Sequence, residues 1–213
     1  ETVLSGNGLV AGAAFSDDYR TVAHVLAKST AELDRLRGSK YVQSETTHCF
    51  HDIVKKLHDG HRVLFCGTPC QIASLRLLSR NNERLLTCDL VCHGVPSPAI
   101  FKQYLCELEI HRKAKVIEYQ FRDKSSGWNF PKVAITFDNG TTTRAISWAD
   151  PYFYGYSILR PCCYACPFTR MERTGDLTLA DCWRVAASHP QYDDNKGTSQ
   201  ILVNTDAGKR LFD

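Results

Sequence analysis

Cys163-Tyr164-Ala165-Cys166 is a C-x-x-C pair bracketed by Pro161 and Pro167. A two-residue gap lets both thiolates reach one metal ion, and the prolines stiffen the turn and leave its backbone amides facing inward. Two more thiols, Cys70 and Cys92, follow apolar runs that read as neighbouring strands. Four thiolates suit either zinc or a 4Fe–4S cluster. Structural zinc more often uses two compact C-x-x-C knuckles, whereas two of these thiols stand singly beside Gly-Pro-type turns. That pattern favours a cluster set into a cleft. The competing reading makes Cys163 and Cys166 a redox dithiol and leaves the other cysteines to the core. Cys66, Cys88 and Cys162 are core or supporting candidates, and Cys182 is an undecided fifth ligand.

The elements that must position these thiols lie between Arg62 and Pro98. Val63-Leu64-Phe65-Cys66 is a short apolar run, followed by the turn Gly67-Thr68-Pro69 and by Cys70 at the head of a helix. Thr68 is a plausible N-cap, and Pro69 suits the first helical position. A second apolar run ends Leu90-Val91-Cys92 and breaks at His93-Gly94-Val95-Pro96. Continuous runs of this length fit a parallel sheet covered on both faces. A right-handed crossover then makes both strands point the same way. Cys70 and Cys92 therefore reach the carboxyl edge, where open α/β folds bind ligands.

The chain has 213 residues, a net charge of +3 and ten cysteines. That length supports a full core in one domain, or in one domain with an insertion. The basic residues are spread without a stripe, which argues against nucleic acid as a partner. No apolar run is long enough for a membrane span and no signal peptide is visible, so the expected location is the cytoplasm. Reduced cysteines in such a chain point to metal binding, catalysis or packing rather than disulfides. Met171 is the only methionine, so a fragment or processed form is expected.

Leu9 to Phe15 and Thr21 to Ala27 read as a hairpin. Ser29 with Glu32 fits a capping box for a short helix through Leu36. Gly38-Ser39-Lys40-Tyr41 then reads either as a helix exit with a surface lysine or as a phosphate- or ring-binding loop. Phe50, Ile53, Val54 and Leu57 form one helical face; His48 and His51 on that helix read as a solvated pair. From Lys115 the period becomes two: Ile117, Tyr119 and Phe121 alternate with polar residues, as do Val133, Ile135 and Phe137. Asp138-Asn139-Gly140 signals a hairpin leading to a strand from Thr141 to Trp148. A short helix is expected at Tyr152 to Leu159, strands at Gly175 to Val185 and Gln200 to Asn204, and a last helix capped by Asp206. The expected fold is α/β (α+β): a mixed, mostly parallel sheet flanked by helices, with an antiparallel β insertion and a Cys-rich C-terminal segment. The expected division is a core at 1–114, the insertion at 115–150 and the Cys-rich segment at 151–213.

Six blocks in order resemble the beta subunits of coenzyme F420 hydrogenases and dehydrogenases. They are Leu36 to Ser44, Gly67 to Ile72, Cys92 to Pro98, Phe121 to Lys124 with Gly127-Trp128, Leu159 to Cys166, and Asp194 to Ser199. The resemblance implies an iron–sulfur flavoprotein oxidoreductase. FAD would lie beside a 4Fe–4S cluster, exchange a hydride with a small-molecule redox coenzyme such as a deazaflavin, and trade single electrons with the cluster. A redox partner subunit or ferredoxin-like domain would complete the path. Carried onto this sequence, the cluster ligands are Cys70, Cys92, Cys163 and Cys166. Ser39, Lys40 and Tyr41 are flavin contacts, with Thr68, Lys196 and Thr198 as phosphate contacts. Lys40 would stabilise a reduced, anionic flavin, and His93 is a proton donor or a structural histidine. The alternatives are a zinc-stapled, non-catalytic scaffold or partner-binding module and a thiol–disulfide oxidoreductase.

Overall fold

The computed structural model describes residues 2–128, 132–145, 155 and 157–213. Its elements, in chain order, are α1 (Thr2–Ser5), β1 (Leu9–Phe15), β2 (Val22–Ala27), α2 (Thr30–Leu33), α3 (Thr47–His58), β3 (Val63–Gly67), α4 (Pro69–Leu78), β4 (Leu85–Leu90) and α5 (Pro98–Arg112). There follow β5 (Val116–Asp123), β6 (Lys132–Phe137), β7 (Thr142–Ala145), β8 (Leu177–Asp181), α6 (Val185–Ser188), β9 (Ser199–Val203) and α7 (Asp206–Phe212). One sheet has the order β2-β1-β3-β4-β8-β9. Its four central strands are parallel, and β2 and β9 close the edges antiparallel. The chain is thus α/β with a mixed, mostly parallel sheet flanked by helices, as its strand patterning predicts. A second, antiparallel sheet holds β5, β6 and β7.

The alternation of apolar positions explains both layers. Cys49, Phe50, Ile53 and Leu57 recur at helical spacing on α3. They pack with Ile72 and Leu75 of α4 onto Leu9, Ala11, Val63, Phe65 and Leu85 of the sheet. His48 and His51 on the same helix are exposed. A second core joins Phe101 and Leu105 of α5 to Val116, Tyr119 and Phe121 of β5 and Val133, Ile135 and Phe137 of β6.

Turn chemistry sets where the strands stop. Thr68 caps α4: its N–H donates to Gln71 Oε1 at 2.9 Å, one arm of a capping box, and Pro69 occupies the first turn. Cys66 lies opposite Cys88 and Gly67 opposite Asp89, so β3 and β4 end at one level. β4 ends at Leu90 rather than continuing to Cys92, although the Val91 N–H still donates to Leu179 O at 2.9 Å. Gly94, at φ 121°, then turns the chain.

Some local expectations shift. The N-cap of α7 is Thr205, whose hydroxyl accepts the Gly208 N–H at 3.0 Å, and not Asp206, which is the first residue of the helix. Glu32 takes the N–H of Lys28 at 2.7 Å and not that of Ser29, so the box expected there is not formed. The strand expected at Gly175 to Val185 is shorter, Leu177–Asp181. Half of the helix expected at 152–159, and the end of the strand expected to reach Trp148, lie outside the described residues, and the described residues 155 and 157–159 are turn, bend and bridge rather than helix.

Candidate functional site

The loops leaving β3 and β4 meet the Cys-rich segment at the carboxyl edge of the sheet. Cys70, in the first turn of α4, is exposed, and its sulfur lies 3.2 Å from Thr68 Oγ1. Cys92, two residues past β4, accepts the Gly94 N–H at 3.4 Å. Its neighbour His93 is exposed. The next amide, Val95, donates to the Cys163 sulfur. Backbone pairing holds these loops together: Pro96 bridges Leu159, and the Arg160 N–H donates to Val95 O at 3.0 Å. Contact is close, since a Cβ on Gly94 would stand 2.8 Å from Leu159 Cδ1.

The thiols sense one another. Cys92 is an exposed residue, yet desolvation of its thiol within the site pushes it up to about 11; the Gly94 amide opposes this, and Cys70, Cys163 and Cys166 raise it further. Desolvation also raises Cys163, against the Val95 amide. The four cysteines singled out by spacing are therefore electrostatic neighbours. They do not close on a point: among the described residues no three His, Cys, Asp or Glu side chains are grouped to hold a metal ion. The Thr68 hydroxyl and the Gly94 amide engage the sulfurs of Cys70 and Cys92 within their own turns. The donor set nevertheless fits a cation. Thiolates that disfavour one another are stabilised by a positive centre among them, and amides aimed at sulfur are the supporting shell of thiolate-bound iron.

Other cysteines divide by burial. Cys88 is buried in β4, beside Cys66 of β3. Cys162 is exposed, which removes it from the core. Cys182, just past β8, is half-buried, and its N–H donates to Thr198 O at 2.9 Å.

A cleft of about 550 Å³ lies beside this edge, in the size range of cofactor sites. Phe15, Tyr19, Tyr119 and Phe121 supply aromatic lining, Arg35, Arg37, Ser39, Lys40 and Arg122 supply donors, and Asp17, Asp34 and Glu118 supply carboxylates. Lys40 Nζ donates to Arg37 O at 2.7 Å and Arg35 O at 3.2 Å, closing the carbonyl end of the preceding helical turn. Desolvation pushes its amine down to about 8. Tyr41 meets Phe121 edge-on at 5.6 Å, hydrogen-bonds with Arg122, and packs with Cys163 around Leu159. The Gln43 N–H donates to Pro96 O at 3.1 Å. One stretch of chain, 39–43, thus borders the cleft at one end and the thiol loop at the other.

Thr68, Lys196 and Thr198 do not line the cleft. Thr198 donates to Tyr192 O at 2.9 Å, and Lys196 stays exposed, 3.6 Å from Asp194. Their loop packs instead on Trp128: a Cβ on Gly197 would sit 2.4 Å from that ring. Here the structure adds a group that spacing does not show. Arg122 lies 4.2 Å from the Trp128 ring centre and 5.2 Å from that of Trp183, and donates to Asp181 at 2.6 Å. The Arg122-to-Trp128 block carried a sequence signal, but Trp183 and Asp181 sit more than fifty residues away.

Parallel strands that end at a thiol edge beside a cleft define an α/β cofactor-site architecture. The chain belongs to the coenzyme F420 hydrogenase/dehydrogenase beta subunit family, whose C-terminus model matches residues 60–213. Membership sets the protein in an oxidoreductase, electron-transfer context. Its fold is similar to a chain of the xenon-derivatised F420-reducing [NiFe] hydrogenase complex from Methanosarcina barkeri. The TM-score is 0.64 at 14% identity, covering 99% of this chain and 68% of that one. No curated protein sequence matches. Among the described residues no helix is long and apolar enough to cross a membrane.

Proposed function

We propose that this chain holds a 4Fe–4S cluster on Cys70, Cys92, Cys163 and Cys166 and an FAD in the Ser39–Lys40 cleft, and passes electrons between them. The observation that carries this reading is the stitching of the two places. Gln43 bonds to Pro96, Pro96 bridges Leu159, and Tyr41 packs with Cys163 around that leucine. When bound, the cluster supplies single-electron transfer and the flavin hydride exchange. The chain supplies placement and electrostatics. The Gly94 and Val95 amides donate to ligand sulfurs and favour their charged forms. The Lys40 amine, pushed down to about 8 by desolvation, is raised again when an anionic group enters the cleft. Ser39 adds a hydroxyl at the cleft wall, and exposed His93 stands where a proton donor beside Cys92 would stand. Thr68 is assigned to the Cys70 turn; Lys196 and Thr198, on the Trp128 loop, have no flavin role in this reading.

The organic partner is assigned as a small-molecule redox coenzyme of the deazaflavin class, in keeping with the family's description. A redox partner subunit or ferredoxin-like domain would meet the thiol edge, in keeping with a neighbour that is a hydrogenase complex. The cytoplasm is the assigned location.

Protein purified without oxygen tests the reading by iron, acid-labile sulfide and flavin content with a visible spectrum. About four iron and four sulfide per chain are expected for a 4Fe–4S centre, lost in Cys163→Ser, together with bound flavin. Zinc, or no metal after anaerobic reconstitution, would overturn the cluster and favour a zinc-stapled scaffold. Thiol–disulfide activity that survives loss of Cys70 and Cys92 would favour a dithiol enzyme.

A further inference from the structure

We propose that His24 is a positioning residue for the Cys70 turn, acting through Ser44 and Gln71. His24 Nε2 lies 3.0 Å from Cys66 O, and its Nδ1 lies 2.9 Å from Ser44 Oγ. Gln71 Nε2 donates to the same Ser44 oxygen at 2.9 Å, and Gln71 Oε1 accepts the Thr68 N–H at 2.9 Å. Only one sense of donation satisfies every group. A carbonyl can only accept, so Nε2 carries the ring proton and Nδ1 accepts the serine hydroxyl proton. The serine oxygen then accepts from the glutamine amide, whose carbonyl oxygen is left for Thr68. The relay is a chain of matched donors and acceptors, buried at its His24 end and half-buried at Gln71 and Thr68: His24 is 5% exposed and Ser44 8%. A buried chain of this kind holds its members in one geometry, because any member that moves strands a polar group.

The relay reaches from β2, through the 39–44 stretch, to the N-cap of α4. Its far end is Thr68, whose hydroxyl touches the Cys70 sulfur. His24 itself is fixed by stacking on Phe65, with ring centres 4.8 Å apart. Desolvation holds its imidazole down to about 4, which keeps it in the neutral form the relay requires. Gln43, next to Ser44, is bonded to Pro96, so the relay also sets the Cys70 turn relative to the Cys92 loop. The meaning of this for a metal rests on the proposed function; the coupling itself is a property of the chain.

Amide hydrogen exchange at Thr68, resolved by NMR on the metal-free chain, tests the coupling. Ser44→Ala and His24→Gln are each expected to speed exchange at Thr68 about tenfold, the loss of one buried hydrogen bond. Ser44→Thr, which restores a hydroxyl, is expected to exchange as the unsubstituted chain does. The Ser79 amide, bonded to Leu75 O at the end of α4, is the control and should not change. Either remote variant suffices if the other fails to fold. Unchanged exchange at Thr68 in a folded variant, or a rise matched at Ser79, would overturn the proposal. On reconstituted protein, Ser44→Ala should shift the cluster's reduction potential and Ser44→Thr should not. If the amide result holds but no iron binds, the relay stands and the cluster assignment fails.

Discussion

At the scale of single residues, burial decides the charge state of the groups around the site. His24 is held down to about 4 mainly by desolvation and secondarily by Lys40, with the Cys66 carbonyl and Glu45 pulling the other way. An imidazole that titrates near 6.5 when unfolded and near 4 when folded stabilises the fold fully above 6.5. That contribution is lost as pH falls through 6.5 towards 4, because only the unfolded chain takes up the proton. The full difference is roughly 3 kcal/mol. Urea denaturation of the metal-free chain between pH 7 and pH 4 should therefore fall more steeply for the unsubstituted chain than for His24→Gln, which has no proton to take up there. Parallel curves would remove His24 as an acid-sensitive position. Cys92 carries the opposite sign. Its thiol is raised to about 11 from 9, so its share of stability is present below 9 and lost as pH rises towards 11.

At the scale of elements, the segment after Cys166 is fastened to β4 by a buried ion pair. Arg173 Nη2 lies 3.2 Å from Asp89 Oδ2 and donates to Leu90 O at 2.9 Å; the side chains are 9% and 0% exposed. Thr174 and Gly175 add donors to the same carboxylate oxygen. Removing one partner leaves a buried charge uncompensated, so Arg173→Met should cost about 3–5 kcal/mol. Adding Asp89→Asn to that variant should recover part of the loss. Chemical denaturation of both variants reads this directly, and a single variant no less stable than the double would contradict it. The Trp128 loop gives a second case. Gly197→Ala has to fit a Cβ at φ 94° against an indole, and is expected to destabilise by about 1–3 kcal/mol with a change in tryptophan emission. These contacts also show what a reader of the sequence can and cannot see. The strand-turn-helix from Val63 to Leu78 is legible because its signals are local: a branched apolar run, then Thr68, Pro69 and Gln71 at capping positions. The common exit level of Cys70 and Cys92 follows from parallel pairing of two such strands. Arg173 with Asp89, His24 with Ser44 and Arg122 with Trp183 are illegible for the converse reason. Each pair is brought together only when β8 docks on β4, when the 39–44 stretch folds over β2, or when β5 meets the turn after β8, and no local preference of either partner announces it.

At the scale of the whole molecule, the thiol edge is where distant parts of the chain meet. Cys70 belongs to the turn after β3, Cys92 to the turn after β4, and Cys163 and Cys166 to a segment that follows the second sheet. Binding one centre to all four would close a loop of nearly one hundred residues. Ligand binding to the folded state alone stabilises it by mass action. The 167–172 stretch is the natural reporter, since Met171 is 81% exposed and Arg170 beside it is exposed. Iron and sulfide loading under anaerobic conditions should slow tryptic cleavage after Arg170 and raise the melting temperature by several degrees, as about 1–2 kcal/mol would for a domain of this size. Cys92→Ser should abolish both effects, because it removes the one thiolate that the loop after β4 brings to the shared centre. Cys106, exposed on α5 and not one of the four site thiols, provides the matched control: Cys106→Ser should keep both. Protection that persists in Cys92→Ser would mean that the C-x-x-C pair binds metal without the sheet edge, and the three segments would not be joined by it.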